Sequence, residues 1–442
     1  MKKTILVCLS TCFFLLANAQ EKTMNLSLNE AISFGLENSY NTKASKNDIL
    51  SAKKKVWETT STGLPQISGS VSFQNWLKQQ VTLVDIDGDG TNEEFIFTQK
   101  QSLDASVTLS QLLFDGSYLV GLQASKTYLK ISEQANEKTK LATREAIINA
   151  YGNVLITEKS IVIVESNIKI LQKNLNDAKK IYENGFNEEE DIEQLEITLG
   201  NLQSQLNSVK RMKVIAYKML NLALGNSIST KLVLTDTLDS LTNLNIDLNI
   251  IAEEFDVEEH IDFKIAENDR ESKRLLMRLE QSKALPTLSA FINYGSAVYT
   301  EDITSSNNNW YDYSLLGVSL NIPIFSSFGR SAKTAQAKIA LETADIRLDE
   351  IKQKLNLQAE TAKSDYQLSI ENYNTAKKNV SLAERIEKKQ RIKFFEGISS
   401  SFDLLQAQNQ LYSQQQTYIQ SMLDVIAKKA ALENALNLPI KQ

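Results

Sequence analysis

Between Gly116 and Gly185, the residues Ile147, Ala150, Val154, Thr157, Ile161, Val164, Ile168, Leu171, Leu175, Ala178 and Tyr182 fall at alternating steps of three and four without a break. Only a helix returns side chains to one face at that interval, and an average step of 3.5 is the seam of a coiled coil. A return segment keeps the same rhythm through Leu195, Leu199, Leu202, Leu206, Val209, Lys213, Ala216, Leu220 and Ala223. Later stretches repeat it, with Ala344, Leu348, Ile351 and Leu355, and then Tyr373, Ala376, Val380 and Ala383. A helix of about 65 residues reaches on the order of 100 Å. A globular domain of this chain length has no use for such helices, whereas the wall of a tube does. Many seam positions hold Ala or Thr, so the helices pack closely on modest apolar area. A simple coiled-coil dimer is the alternative reading of the seams alone.

The chain also reads as one unit written twice. "GLENSYNTKASKNDI" is echoed by "EEHIDFKIAENDRES", and Pro65 in "GLPQISGSVSF" corresponds to Pro286 in "ALPTLSAFINY". "LSQLLFDGSY" corresponds to "LNIPIFSSFG", Gly185 to Gly397, and "LNLALG" to "LENALN". Self-similarity at a fixed period is the signature of a repeated supersecondary unit. The interval from Pro65 to Phe114 is 49 residues and that from Pro286 to Phe325 is 39, so the first copy carries ten extra residues. The acidic stretch Asp85 to Glu94 is that long, and reads as an insertion.

Within each copy the period changes from helical to two. Leu103, Ala105, Val107 and Leu109 alternate with Ser102, Asp104, Ser106 and Thr108, and Leu316, Val318, Leu320 and Ile322 alternate with residues that include Gly317, Ser319 and Asn321. Alternation of this kind predicts strands with one apolar and one polar face. The expected pairs are 66–84 with 95–114 and 287–299 with 311–324. Aromatic residues such as Phe73, Trp76, Tyr299, Trp310 and Tyr311 cluster toward the connection of each pair, as interfacial girdles do. A soluble β-sandwich would alternate too, but four strands are too few for one. They are also too few to close a barrel alone, where about eight is the minimum, so strands that span a membrane here would have to be shared among several chains.

The N-terminal stretch "MKKTILVCLSTCFFLLANAQ" has the charged, apolar and small-residue sections of a cleaved secretory signal over residues 1–19. Both cysteines, Cys8 and Cys12, fall inside it, which leaves the expected mature chain without a thiol ligand or a disulfide. That mature chain has 46 basic against 54 acidic residues, a formal charge of −8 that argues against a nucleic-acid partner. No later run is read as a membrane-spanning helix of about 18 apolar residues, so an exported chain of this kind would be soluble or cross a membrane as a β-barrel. Catalysis finds no footing: His260 is the only histidine, expected at the surface near a helix start, and no Ser-His pair, phosphate loop or metal cluster occurs.

Taken together, the signal, the two copies of helix, strand pair and long helical hairpin, the "LP" before each strand pair, the glycine turns at 185 and 397 and the run "FDLLQAQNQL" resemble the TolC family of outer-membrane efflux and secretion ducts, from about Leu26 to Leu438. The resemblance implies a membrane β-barrel joined to a long α-helical coiled-coil barrel, built from two tandem repeats and completed as a homotrimer. Repeat 1 would occupy 20–225, with long helices at about 117–182 and 188–225. An equatorial connection would follow at 226–252, and repeat 2 would occupy 253–442, with long helices at about 329–395 and 401–438. It implies passive exit through the outer membrane as part of a tripartite efflux or type I secretion system, with lipid, a periplasmic adaptor and an inner-membrane pump as partners, and no enzymatic activity.

The resemblance also assigns residues. Asp191 and Asp403, each six positions after a turn glycine, would line a periplasmic gate together with Tyr182 and Phe394. Gly185, Phe186, Gly397 and Ile398 would form the turns on which an adaptor docks. Asn184 and Glu396 stand where the family pattern has valine, and Ser399 and Gln406 replace an arginine and an acidic residue of some members. Capping is the competing reading of the acidic residues: Asn187 and Glu190 have capping-box spacing, which accounts for Glu188 to Glu190 better than for Asp403.

The stretch "VDIDGDGTNEE" has the spacing of a calcium loop, with Asp85, Asp87, Asp89 and Glu93 at ligand positions one, three, five and nine and the Thr91 carbonyl at seven. Ile96 replaces the bidentate glutamate at twelve, so the expected site is weak, of roughly millimolar affinity. No other cofactor is expected. A second functional reading is a cell-surface or periplasmic coiled-coil interaction protein with a calcium-binding loop, in which the strand pairs serve only as packing elements.

Overall fold

The computed structural model describes residues 23–85, 88, 90, 92–185 and 188–438. The expected signal segment, within residues 1–22, and Asp87, Asp89, Thr91, Phe186 and Asn187 lie outside the described residues. In chain order the elements are β1 (Met24–Leu26), α1 (Leu28–Asn38), α2 (Tyr40–Ser61), β2 (Gln66–Asn75), β3 (Thr82–Val84), β4 (Glu93–Phe95) and β5 (Gln101–Phe114). Then come α3 (Gly116–Glu183), α4 (Glu189–Leu224), β6 (Leu232–Leu234), α5 (Leu238–Leu244) and short 3-10 turns at Asn249–Ala252 and Val257–Glu259. The chain finishes with α6 (Ile261–Ser282), β7 (Thr287–Thr300), β8 (Tyr311–Asn321), α7 (Gly329–Phe395) and α8 (Ser401–Ala435). Helices α3 and α7 are 68 and 67 residues long.

The chain divides into two compact units. The first comprises the residues up to 48, 133–265 and 349 onward, and is helical apart from the parallel pair β1–β6. Its larger core joins Ala31 and Ile32 of α1, Ile147, Tyr151 and Val154 of α3, Leu220 and Leu224 of α4, Tyr366 of α7 and Ile426 of α8. Buried tyrosines are fixed by their hydroxyls: Tyr151 donates toward the Leu26 carbonyl and the Asp236 carboxylate, both at 3.0 Å, and Tyr366 donates to the Asn245 carbonyl at 2.6 Å. Gly225 ends α4 with φ 78°, and a Cβ there would meet the Asn38 carbonyl oxygen at 2.2 Å, so only glycine fits. A second core lies between the α3–α4 and α7–α8 hairpins, with Ile168, Leu171, Leu175, Ile192, Leu195, Phe394 and Leu404.

The heptad residues of α3 and α4 form much of both cores, while Lys213 leaves the seam to pair with Glu158 at 2.9 Å. One 18-residue window of α3 reaches a mean hydropathy of 1.3, enough by composition for a membrane span, which corrects the sequence reading that no segment approaches one. Half of that window is buried inside the protein, and the seam that packs α3 accounts for its apolarity. His260 is also not the surface residue expected. It is buried, its Nδ1 accepts the Asp262 N–H at 3.1 Å, and its ring meets Phe255 edge-on. Burial holds its pKa below the usual histidine range, opposed by the nearby Asp262 carboxylate.

The second unit comprises 49–132 and 266–348 and holds a four-stranded antiparallel sheet in the order β2-β5-β7-β8. The β5–β7 pairing links the two strand pairs, with Gln101 opposite Thr300 and Leu109 opposite Ile292. The first pair is shorter than its sequence suggests. After Asn75, opposite Gln101, one further bond runs from the Trp76 N–H to the Lys100 carbonyl, and the chain then leaves the sheet. The separate hairpin β3–β4, with Val84 opposite Glu93, carries the acidic loop.

Candidate functional site

Two parts of the molecule carry the functional candidates, and the first is the sheet. Cross-strand partners share a face, so the register sorts the strands into two surfaces. One surface has rows such as Ile67, Leu109, Ile292 and Leu316, or Phe73, Leu103 and Val298. The other has Ser70, Ser106, Gly295 and Tyr313 in one row and Ser72, Asp104, Ala297 and Tyr311 in the next. Hydrogen bonds tie this second surface together: Ser70 to Ser106 at 3.0 Å, Asn293 Nδ2 to Thr108 Oγ1 at 2.7 Å, and the Tyr313 hydroxyl to Asp104 at 2.8 Å. Gly295 lets the Tyr313 ring lie across its neighbour, since a Cβ would come within 2.4 Å of that ring.

Most of the apolar surface is not covered by the rest of the chain, although Val298 at one end of it is buried. Ile67, Val71, Leu316 and Val318 are between 66% and 75% exposed. From Leu288 to Val298 this face runs about 34 Å along the strand, or about 26 Å at the tilt of a barrel strand, which matches the apolar band of an outer-membrane barrel. Strands β2 and β8 are each paired on one side only. Unpaired edge groups cost several kcal/mol each in hydrocarbon, so a sheet of this kind in lipid requires further strands at both edges.

The second part is the pair of turns that ends the helical hairpins of the first unit. The Asn184 N–H donates to the Ile181 carbonyl and the Gly185 N–H to that of Tyr182, and Gly185 takes φ 80°. The Gly397 N–H donates to the Phe394 carbonyl at 3.1 Å and the Ile398 N–H to that of Lys393 at 2.8 Å, with φ 71° at Gly397. Neither glycine has a neighbour within 4 Å of a built Cβ, so glycine is needed there for the left-handed backbone and not for space. Phe394 is buried against Phe395 and Leu404, whereas Tyr182 and Ile398 are exposed.

The two aspartates are both half-buried but differently held. Asp403 belongs to a capping box: its carboxylate accepts the Ser400 N–H at 3.2 Å and hydroxyl at 2.9 Å, and its own N–H donates to Ser400 Oγ at 3.2 Å. Asp191 lies in the first turn of α4, whose N-cap is Glu188 without a side-chain cap bond. This reverses the expected division, in which capping explained the acidic residues 188–190 and not Asp403. The reason is that α4 starts only at Glu189, while Ser400 sits in extended backbone with its hydroxyl over Asp403. The Ser401 hydroxyl donates to Gln194 Oε1 at 3.2 Å, a contact not foreseen from the sequence, so the first turns of α4 and α8 lie side by side. Among the described residues neither Asp191 nor Asp403 is in an ion pair.

The acidic loop is partly described. The two carboxylate oxygens of Asp85 accept the N–H groups of Gly88 and Gly90 at 2.8 and 3.0 Å, which is turn chemistry, and Glu93 is exposed on β4. No grouping of three acidic, His or Cys side chains suited to a metal occurs among the described residues, and three of the five candidate ligands lie outside them.

Residues 257–438 match the family of outer membrane efflux proteins. The chain carries this outer-membrane efflux signature over about two fifths of its length. Its fold is similar to that of CusC, at 18% identity with a TM-score of 0.73, covering 96% of this chain and 95% of that one. VceC of Vibrio cholerae has 15% identity and a TM-score of 0.70, covering 92% of this chain and 95% of its own. CmeC of Campylobacter jejuni has 17% identity and a TM-score of 0.70, covering 95% of this chain and 90% of its own. No curated protein matches this chain by sequence. The fold of the whole chain is thus that of solved outer-membrane channels.

Proposed function

We propose that three copies of the chain assemble into one duct, each giving four strands to a shared twelve-stranded barrel and its helices to a periplasmic α-barrel, with the two halves of each chain acting as tandem repeats. The observation that carries this is the four-stranded sheet with a largely exposed apolar face, a second face of polar side chains joined by hydrogen bonds, and two open edges. The apolar face would meet lipid and the polar face would line the lumen. The duct would serve a tripartite efflux or type I secretion system, with an adaptor seated on the turns at Gly185, Phe186, Gly397 and Ile398 and an inner-membrane pump behind it.

In this reading Asp191 and Asp403 form acidic rings at the periplasmic end, near Tyr182 and Phe394, and favour cations there. The side-by-side first turns of α4 and α8 support it. Asp403→Asn keeps a side-chain oxygen for the Ser400 cap and removes three charges per trimer. In planar bilayers it is expected to weaken cation selectivity and block by trivalent cations from the periplasmic side, and Asp191→Asn is expected to act the same way. Ser400→Ala separates the two roles of Asp403, since losing the cap costs about 1 kcal/mol of helix stability while leaving the charge. Unchanged selectivity in Asp403→Asn, with loss in Glu189→Gln, would place the constriction on other residues.

A further inference from the structure

The connection from β8 to α7 holds a strained and exposed aromatic pair. Ser327 and Phe328 both have positive φ, 49° and 62°. A left-handed backbone crowds any Cβ and is rarest for a bulky side chain. The loop's own bonds hold it there: the Gly329 N–H donates to the Ser326 carbonyl at 2.8 Å, the Ala332 N–H to the Phe328 carbonyl at 3.0 Å, and the Arg330 guanidinium to the Pro323 carbonyl at 2.9 Å. Packing within the chain does not offset the strain. Ile324, Phe325 and Phe328 are 89%, 74% and 77% exposed, and the two rings touch mainly each other, edge to face at 6.0 Å.

Turning a strand into a helix does not require this arrangement. Between β5 and α3 the same task falls to Asp115 alone, whose carboxylate accepts the Ser117 and Tyr118 N–H groups. The loop is also continuous with the apolar face of β8, because Leu316, Val318, Leu320, Ile322 and Ile324 keep the step of two and are all exposed. Arg330 and Lys333 follow directly at the start of α7.

We propose that Phe325 and Phe328 form a lipid anchor, seated at the headgroup–acyl boundary of the periplasmic leaflet, with Arg330 and Lys333 facing lipid phosphates. The strained turn aims both rings outward, and their burial in lipid supplies what the chain's own packing does not. The anchor sets the height of the β8 wall in the membrane. This rests on the duct reading, in which β8 spans the outer membrane.

The sequence has cysteine only at positions 8 and 12, within the signal segment, so single cysteines can be labelled selectively. Phe325→Cys, Phe328→Cys and Val318→Cys, each carrying an environment-sensitive fluorophore, would be reconstituted as the assembled channel in phosphatidylethanolamine–phosphatidylglycerol vesicles. Those vesicles would contain phospholipid spin-labelled near the headgroup or near the chain end. Quenching at 325 and 328 is expected to be roughly twofold stronger with the shallow label than with the deep one, as for a group at the boundary. Val318 should be quenched more by the deep label. Quenching at Val318 with none at 325 and 328 would mean that solvent or a second copy of the chain faces the aromatic pair, and overturns the anchor alone. Absence of quenching at all three would overturn the membrane placement of β8 and the anchor with it.

Discussion

Glu387 shows how far a single buried group can affect the helical hairpin. Val380, Ala383, Glu387, Gln390 and Phe394 continue the three-four rhythm of α7, so two polar residues occupy core positions of the seam. One Glu387 oxygen, the Gln390 side-chain oxygen and both polar atoms of the Gln408 amide are buried without a hydrogen-bond partner among the described residues. Burial raises the Glu387 pKa, opposed by Arg391 at 3.9 Å and by the Gln408 amide, which approaches without bonding geometry; Tyr412 faces the same pocket and is itself raised by burial and by Glu387. A carboxyl raised in the folded state binds its proton more tightly there. Its stabilising contribution is therefore complete below the ordinary carboxylate pKa and is lost as pH rises through the raised value. Glu387→Gln is expected to remove that dependence and to stabilise the channel by about 1–3 kcal/mol at pH above the raised value, where the wild-type carboxylate is ionised and buried. Thermal unfolding of both forms at about pH 4 and about pH 8 checks this. A wild-type transition that is lower in acid would contradict it. Through "ERIEKKQRIKFF" the period shows only once polar residues are admitted to the seam.

Among the elements, the hairpin β3–β4 is the one that the main sheet can spare. It pairs only with itself, and the main sheet closes its last bond between Trp76 and Lys100 before the hairpin begins. Replacing Asp85 to Glu94 by an Asn-Gly turn is expected to leave assembly and export unchanged, because a two-residue turn suits the right-handed twist of the flanking strands. Loss of the assembled channel on native gels after this change would make the hairpin structural. Sequence periodicity located β5 and β8 because their residues alternate cleanly between apolar and polar, but it extended the first strand to residue 84. "VTLVDI" is rich in β-branched residues, and what ends β2 is the lack of a cross-strand partner, which no local pattern records. The tip was harder to read for a related reason. Asn187 with Glu190 and Ser400 with Asp403 have identical capping spacing, and the three-dimensional path of each turn decides which helix start is capped by a side chain.

At the scale of the whole molecule, the same count that was legible in the sequence governs the assembly. Four alternating strands with an apolar face cannot close on themselves, and the structure leaves β2 and β8 open at the edges. The pairing that joins the two strand pairs, Leu109 to Ile292 and its neighbours, was not legible, because residues about 180 positions apart meet through antiparallel register that no local motif specifies. The exposed apolar residues on that sheet would be a liability in a monomer in water, and in a closed trimer they become the lipid-facing wall. The mass of the purified full-length protein in mild detergent, measured by light scattering with the detergent contribution subtracted, tests this most directly. Three chains per particle is the predicted result; a stable, folded single chain whose sheet needs no partner would contradict the account.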